Sequence, residues 1–550
     1  MRQAKWWSAV GAALVLAGCN TTSGPINYAA PVKQAEVKPL LQEMQRMSRI
    51  NQAWITELLA ACETEKLACS MVSDKKHTLS TLGGRTYDHL RQSEMIGLDP
   101  ALYYIDSVEA ILADKEANIY RADSLLLMGL LAYIRDVVEG RPELKKLDDL
   151  WLLDGEKARP VATALEFIRS GGDEAVLTAL EPTYPEYQFL KTGLKHYLEM
   201  SDDSRGKPIT RLSEGNVLRK GQQSAAVVTL RKRLAETGYL AESQTTSSHY
   251  DDALYKVVQQ FQRDHQLEPD GIVGGQTTRE LNLSVDDRIE KIKVNLERWR
   301  WMPRSMGDHY IVVDIPGFEY YVVKEGEVTL RAKTVVGKDL RPTPVFSSDM
   351  NHIVFSPYWH VPRSMAVKDQ LPRLKNDPNI VMNRNIRVFD SKGKEVDPRS
   401  VDWSQYNQRN FPYSLRQDPG RNNALGQVKF MFPNSHAIYL HDTPQKYLFE
   451  RESRMFSSGC IRIENPTELA VYFLEEQGWD ENRVQKAYER GRETTVKLPN
   501  DKKIPVFTLY MTTKAKKDGT ILFRPDIYKR DGSIIAASKR LTLEAKQRIN

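Results

Sequence analysis

Cysteine is scarce in this chain: four residues in 550, at positions 19, 62, 69 and 460. No paired-Cys or His-x-x-x-His spacing of the zinc-ligand kind accompanies the reactive residues, so neither a metal nor a cofactor is expected. An excess of one charge is lacking too. The net charge of +6 is small for this length, and no long Lys/Arg run concentrates it, which argues against a nucleic-acid partner. The excess amounts to weak attraction toward an anionic envelope. Hydrophobic residues at 41% and charged residues at 27% are ordinary for a folded soluble protein. A chain of 550 residues calls for several domains rather than one core.

The first residues are not fold. Arg2 and Lys5 introduce an apolar run, Trp6–Leu16, too short to span a bilayer as a mature helix. It closes on Leu16-Ala17-Gly18-Cys19, which resembles a bacterial lipobox. The resemblance implies a lipoprotein signal peptide at 1–18, lipidation of Cys19, and a polar, Pro-bearing tether at 19–38. A plain signal peptide with an incidental cysteine is the competing reading. By the same resemblance, Asn20 after the lipidated residue implies anchoring to the outer membrane of a Gram-negative cell, facing the periplasm. Cys62 and Cys69 lie seven positions apart and could close a small disulfide loop in that compartment; two free thiols are the alternative. Either way Cys460 is left alone. An unpaired thiol in an oxidising compartment needs a reason, and catalysis is the commonest.

The expected fold is multidomain α+β. Residues 39–212 read as a helical scaffold: Leu40, Leu41, Met44 and Met47 recur at helical spacing, and Leu125, Leu126, Met128, Leu130 and Leu131 surround an apolar helix. Gly83-Gly84 and Gly171-Gly172 read as breaks. Residues 213–283 form a compact unit of short helices. Val227, Leu230 and Leu234 share one face; Leu254, Val257, Val258 and Phe261 make a second stripe. Asp270-Gly271-Ile272-Val273-Gly274 then turns into a last helix at Thr277. This unit resembles the three-helix peptidoglycan-binding domain through Leu218-Arg219-Lys220-Gly221, Phe261-Gln262, Asp270–Gly274 and Thr277. It departs at Gln223 and Ser224, near where many relatives carry a second Gly. Such a module either binds glycan or only positions its neighbours.

Residues 284–304 read as a linker helix whose Trp299 and Trp301 form a sugar platform or, on the stronger reading, pack onto the next domain. Beyond His309 the pattern becomes strands: Tyr310–Ile315, Tyr320–Val323, Val328–Val336, Val428–Phe432, Ala437–Leu440 and Val506–Met511, with a hairpin across Asp518-Gly519 to Ile521–Phe523. Residues 305–530 thus read as a mainly-β domain. Its polar insert at about 366–425 is expected to act as a cap, and 531–550 as a C-terminal tail.

Two segments carry chemistry: Ile438-Tyr439-Leu440-His441-Asp442-Thr443-Pro444, and Phe456-Ser457-Ser458-Gly459-Cys460-Ile461-Arg462-Ile463-Glu464-Asn465. A strand end aims His441, and a turn exposes Cys460 at the start of a predicted helix, Pro466–Gln477. Thiolate is the nucleophile, and a nearby imidazole and a helix N-terminus would both favour it. Gly459 allows close approach, so the amides near Gly459 and Cys460 suit an oxyanion hole, and Arg462 adds positive charge. Taken alone, these residues also fit a surface histidine and a buried structural thiol. His436 and His360 compete for the role of base. Strand alternation places Tyr439 and His441 on one face and His436 on the other.

The two segments resemble the active-site motif of the L,D-transpeptidase family, in which a His precedes a Ser/Thr-His-Gly-Cys segment. Supporting stretches are Arg341-Pro342-Thr343-Pro344, Phe355-Ser356-Pro357-Tyr358-Trp359-His360-Val361-Pro362 and Phe523-Arg524-Pro525-Asp526-Ile527-Tyr528. Ser458 stands where most relatives have His, as in a long-form subgroup with an N-terminal scaffold, an embedded peptidoglycan-binding domain and a capped site. The resemblance implies Cys460 as nucleophile, His441 as general base and Gly459 in the catalytic turn, with Tyr439, Ser458, Arg462 and Trp359 at the substrate. It implies a Cys460 thioester with a tetrapeptide stem, release of D-Ala, and transfer to a diaminopimelate amine of a second stem, a 3-3 cross-link. It also implies a carbapenem adduct at Cys460. Hydrolysis at the same site, by an L,D-carboxypeptidase or endopeptidase, is one alternative. A lipid-anchored, wall-binding scaffold with a degenerate site is another.

Overall fold

The computed structural model describes residues 51–73, 77–204 and 209–547. The expected signal peptide, Cys19, the tether and the Leu40–Met47 stripe lie outside the described residues. Among the described residues no helix is long and apolar enough to cross a membrane.

The scaffold is helical. Its central helix, Ile119–Glu139, is buried on nearly every side because the Leu125–Leu131 run leaves no polar stripe. Helices Gln52–Glu65, Thr81–Arg91 and Pro160–Arg169 pack around it. A disulfide joins Cys62 to Cys69, with Cα atoms 6.2 Å apart, and ties the first of these helices to the strand Val72–Ser73. Gly171 and Gly172, both at positive φ, follow a helix end. Gly83-Gly84 is not a break. It lies in the first turn of Thr81–Arg91, where Ser80 Oγ accepts from the Gly83 amide. Close packing requires the glycine, since a Cβ on Gly83 would lie 1.8 Å from the Met71 carbonyl oxygen.

Helices Ala225–Glu236, Asp252–Asp264 and Gly275–Leu281 enclose their own small core. The motif residues of this module converge on one buried amide. Gln262 Nε2 donates to Asp270 Oδ1 at 2.8 Å and to the Ile272 carbonyl at 3.0 Å, while the Gly271 amide donates to Gln262 Oε1 at 2.8 Å. A fully bonded buried side chain thus fixes the Asp270–Gly274 turn.

The segment read as a linker is a central strut. Helix Val285–Arg300 starts at a Ser284–Asp287 capping box and is almost wholly buried. Trp299 and Trp301 are buried within it, so they offer no sugar platform. Its charged residues are satisfied by distant segments. Glu297 accepts from Arg141 Nε at 3.0 Å and Trp301 Nε1 at 3.1 Å, and Arg298 pairs with Asp531 at 2.6 Å. Asn295 and Thr512 exchange two hydrogen bonds, of 2.8 and 2.7 Å. Asp531 opens the helix Asp531–Gln547, so the expected tail is instead a docked helix with Ile534 and Ala537 buried in the junction.

The catalytic domain is built on an eleven-stranded sheet. Its order is Thr494–Lys497, His352–Phe355, Val428–Met431, Leu440–His441, Ile461–Ile463, Glu327–Gly337, Glu319–Lys324, His309–Asp314, Ile504–Leu509 and Ser347–Met350, with Met455–Ser457 also pairing Glu327–Gly337. Both faces are covered over much of it. Ile311 and Val313 enter one core with Leu440, Ile461 and Leu469, while Val312, Phe507 and Leu509 face the strut helix, hence the unbroken β-branched run. Ile521–Phe523 pairs with Thr513–Ala515 rather than with the longer strand before it. The cap begins earlier than expected, at Trp359–His360. That strand joins Ser414–Gln417, Ile386–Phe389 and Glu395–Val396 in a four-stranded sheet over its own core.

Glu297 holds the junction through several buried donors. Glu297→Ala is expected to cost about 3–5 kcal/mol in urea unfolding. A loss within the ~0.5 kcal/mol of an ordinary surface change would contradict its role as the junction's acceptor.

Candidate active site

Parallel pairing sets Leu440 opposite Ile461 and His441 opposite Arg462. The Ile461 amide donates to the Tyr439 carbonyl at 3.1 Å, which brings Tyr439 beside Cys460. Among the described residues Cys460 is the free cysteine, and it is half-buried. Its Sγ donates to the Ala437 carbonyl at 3.6 Å. Tyr439 reaches the sulfur twice, through its backbone amide and its phenol. Ala437 holds φ at 54°, a region costly for a residue with a Cβ, and so ends the strand expected over Ala437–Leu440. Asn434 supports that turn by accepting from the His436 and Ile438 amides and donating to the Ile438 carbonyl.

The nucleophile turn is tied at several points. Ser457 Oγ accepts from the Gly459 amide at 3.1 Å and donates to the Cys460 carbonyl at 2.5 Å. Thr343 Oγ1 donates to the Gly459 carbonyl at 2.8 Å. Gly459 sits at φ 110°, which glycine alone adopts readily. These bonds correct one expectation: the Gly459 amide is occupied and is not an oxyanion donor. The Cys460 amide, which has no acceptor among the described residues, is the open one. A second correction concerns the helix. Strand Ile461–Ile463 separates Cys460 from the helix Pro466–Leu474, so no helix N-terminus acts on the thiol.

His441 is buried at 4% exposure, and its Nδ1 lies 2.5 Å from the Asp442 carbonyl. A carbonyl only accepts, so Nδ1 carries the proton and Nε2 keeps its lone pair. Burial, with the charges of Arg462 and Lys429 adding to it, pushes the imidazole down to about 3. Asp442 is pinned in turn, since its carboxylate accepts from Lys446 Nζ at 2.6 Å and from the Gln427 amide at 2.9 Å. Burial raises the Cys460 thiol, and the two Tyr439 bonds and Arg462 oppose that rise. Burial thus favours the neutral form of both the thiol and the imidazole.

The family described as the L,D-transpeptidase catalytic domain matches residues 308–478. One described provisionally as a peptidoglycan-binding domain matches 223–281, and a scaffold domain matches 73–194. Residues 308–478 thus match the L,D-transpeptidase catalytic-domain family. A Haemophilus influenzae protein, provisionally named an L,D-transpeptidase, is 37% identical over 258 residues, 47% of this chain and 50% of that protein. The chain thus spans about half the length of the curated relative it matches. An L,D-transpeptidase structure from Mycobacterium smegmatis is 14% identical, covering 37% of this chain and 58% of its own with a TM-score of 0.17. An Enterococcus faecium L,D-transpeptidase mutant is 12% identical, covering 41% and 65% with a TM-score of 0.15. At those scores neither overlay supports an argument.

Within the transpeptidase domain the structure brings together Tyr439, His441, Ser458, Gly459, Cys460 and Arg462. Arg462 donates to Gln445 Oε1 at 2.7 Å, while its Nε is buried without an acceptor, and no acid pairs with it among the described residues. His436 is exposed with its ring 5.8 Å from that of Phe346, and His360 is exposed on the cap. Trp359 is a correction. It is 8% exposed in the cap core with Leu371, Leu374 and Phe411, closed to a substrate by that packing. Ala437 and Asp442 escaped the sequence reading, since an alanine at positive φ and a backbone carbonyl leave no composition signal. A cavity of about 610 Å³ lies behind Asp442 against Lys446, Glu464 and Glu468; Cys460 does not line it.

The iodoacetamide reactivity of Cys460 is expected to rise through a midpoint above the ~8.5 of a free thiol. Arg462→Met should move that midpoint higher. A midpoint below neutrality would show a preformed thiolate and contradict the neutral pair.

Proposed function

We propose that this chain is a peptidoglycan L,D-transpeptidase of the periplasm, with Cys460 as nucleophile and His441 as general base. The observation that supports the reading is the thiol of Cys460, the one free cysteine among the described residues, bonded by Tyr439 and next to the strand that pairs with a tautomer-locked His441, inside a region that matches the transpeptidase domain family.

Cys460 Sγ attacks the carbonyl between the diaminopimelate L-centre and the terminal D-Ala of a tetrapeptide stem. Its proton passes to His441 Nε2, and the Cys460 amide and Tyr439 phenol donate to the developing oxyanion. Collapse breaks the amide C–N bond, and His441 returns the proton to the departing D-Ala amine. A thioester remains. The side-chain amine of a second stem then attacks it, gives its proton to His441, and expels the sulfur, which recovers that proton. The product is a 3-3 cross-link. Arg462, free of acid partners, offers charge to a substrate carboxylate. The cap over Tyr439 limits water and favours the amine as acceptor. The same thiol would take a carbapenem. Lipidation at Cys19 would hold the chain on the outer membrane, with the module at 213–283 against glycan.

Purified protein and Cys460→Ala are to be incubated with tetrapeptide muropeptides and the products weighed by mass spectrometry. Dimers lacking one D-Ala are expected from the unaltered protein only. Tripeptide monomers alone would mean hydrolysis, and no product from either protein would sink the enzyme reading.

A further inference from the structure

Three segments distant in sequence meet at Arg341. Its guanidinium donates to both carboxylate oxygens of Asp369, at 2.7 and 2.9 Å, and to Ser458 Oγ at 3.0 Å. Ser458 is next but one to Cys460 in the nucleophile turn. Asp369 belongs to the cap, on the single π-helical turn Ala366–Gln370, a local irregularity that recurs at functional sites. Arg341 itself is fixed from the sheet side. The loop carrying it folds back so tightly that a Cβ on Gly337 would lie 2.3 Å from the Arg341 carbonyl oxygen. Thr343 Oγ1 accepts from the Gly337 amide at 3.0 Å and bonds Gly459, and the Lys338 amide donates to the Ser457 carbonyl at 3.1 Å.

The other ion pairs of the cap are internal to it: Glu395 with Arg387, Asp397 with Arg399, and Asp418 with Arg387 and Arg416. Among the described residues, Arg341–Asp369 is the one ion pair that crosses from the cap to the body. Its side chains keep 22% and 31% of their exposure, so water can compete for the pair and it can open.

We propose that Arg341 is a positioning residue: one planar fork latches the cap, through Asp369, to the nucleophile turn, through Ser458. This rests on the transpeptidase reading and names the regulation of that site. A guanidinium presents several donors in a plane, so a single side chain serves both partners. It also gives Ser458 a physical reason. A hydroxyl can accept from Arg341 at any pH, whereas an imidazole can accept at only one ring nitrogen and at none once protonated. With the latch closed, the acyl-enzyme is covered and the amine is the acceptor. With it open, water reaches the thioester.

The test uses the full chain. Amide exchange over residues 366–382 is followed by mass spectrometry, and the ratio of tripeptide monomer to cross-linked dimer is measured with muropeptides. Arg341→Gln and Asp369→Ala are expected to speed cap exchange roughly two- to fivefold, the range of a partly exposed ion pair, and to raise the monomer-to-dimer ratio. Ser458→Ala should leave cap exchange as it was. The double reversal, Arg341→Asp with Asp369→Arg, should restore cap protection. Unchanged exchange in both single variants, or no recovery in the double reversal, overturns the latch. If the unaltered protein makes neither product, the function reading fails, and exchange and its rescue still decide the latch.

Discussion

The parallel register of Leu440–His441 against Ile461–Arg462 is the constraint on which the site depends. It brings a histidine and a cysteine nineteen residues apart in sequence to neighbouring strands. The register cannot slip easily. Leu440 and Ile461 are wholly buried in the same core, and a shift of one residue would expel them and turn His441 to the opposite face. The turn at Ala437 then sets its carbonyl at the sulfur, while Ser457 and Thr343 fix the turn that carries Cys460. Rigid strands and short bonded turns hold the chemistry, while the cap supplies the adjustable part.

Burial decides the electrostatics. Two neutral partners in a dry site cost less than a thiolate and an imidazolium brought there unpaired. Tyr439 and Arg462 pull the thiol the other way without reversing it. On the proposed mechanism, charge separation waits until a carbonyl is present to receive the sulfur's electrons. Such a site gains from a cap that keeps water out, and a latch joining cap to nucleophile turn makes exclusion and alignment one event.

Motif spacing made the centre legible in the sequence. His441, Gly459, Cys460 and Arg462 could be grouped because short fixed distances survive in the linear order, and the Phe261-Gln262 and Asp270–Gly274 pieces of the small module converge on one amide for the same reason. What escaped depends on contacts between segments far apart. Glu297, Arg298 and Arg300 look like a solvated helix face, yet Arg141, Asp531 and neighbouring side chains bury them. The 531–547 helix looked like a tail because its stripe is short. Trp359 was placed at the substrate by resemblance, since an aromatic in a core and one in a groove share the same chemistry. Gly83 read as a break, although a close Met71 carbonyl is what demands it. The Ile461–Ile463 strand was too short to see, so Cys460 was set at the start of a helix that begins, as expected, at Pro466 but one element further on.

The central claim is that a neutral, tautomer-locked His441 takes the proton of Cys460. Its most direct measurement is the pH dependence of single-turnover D-Ala release from a tetrapeptide stem, compared between the unaltered protein and His441→Asn. Because burial holds the imidazole near 3, well below the ~6.5 of a free histidine, the rate should stay flat from about pH 5 to pH 8. His441→Asn should lose about 10²–10⁴-fold. A rate that falls through pH 6.5 on acidification, or a His441→Asn variant that keeps its rate, would contradict the account.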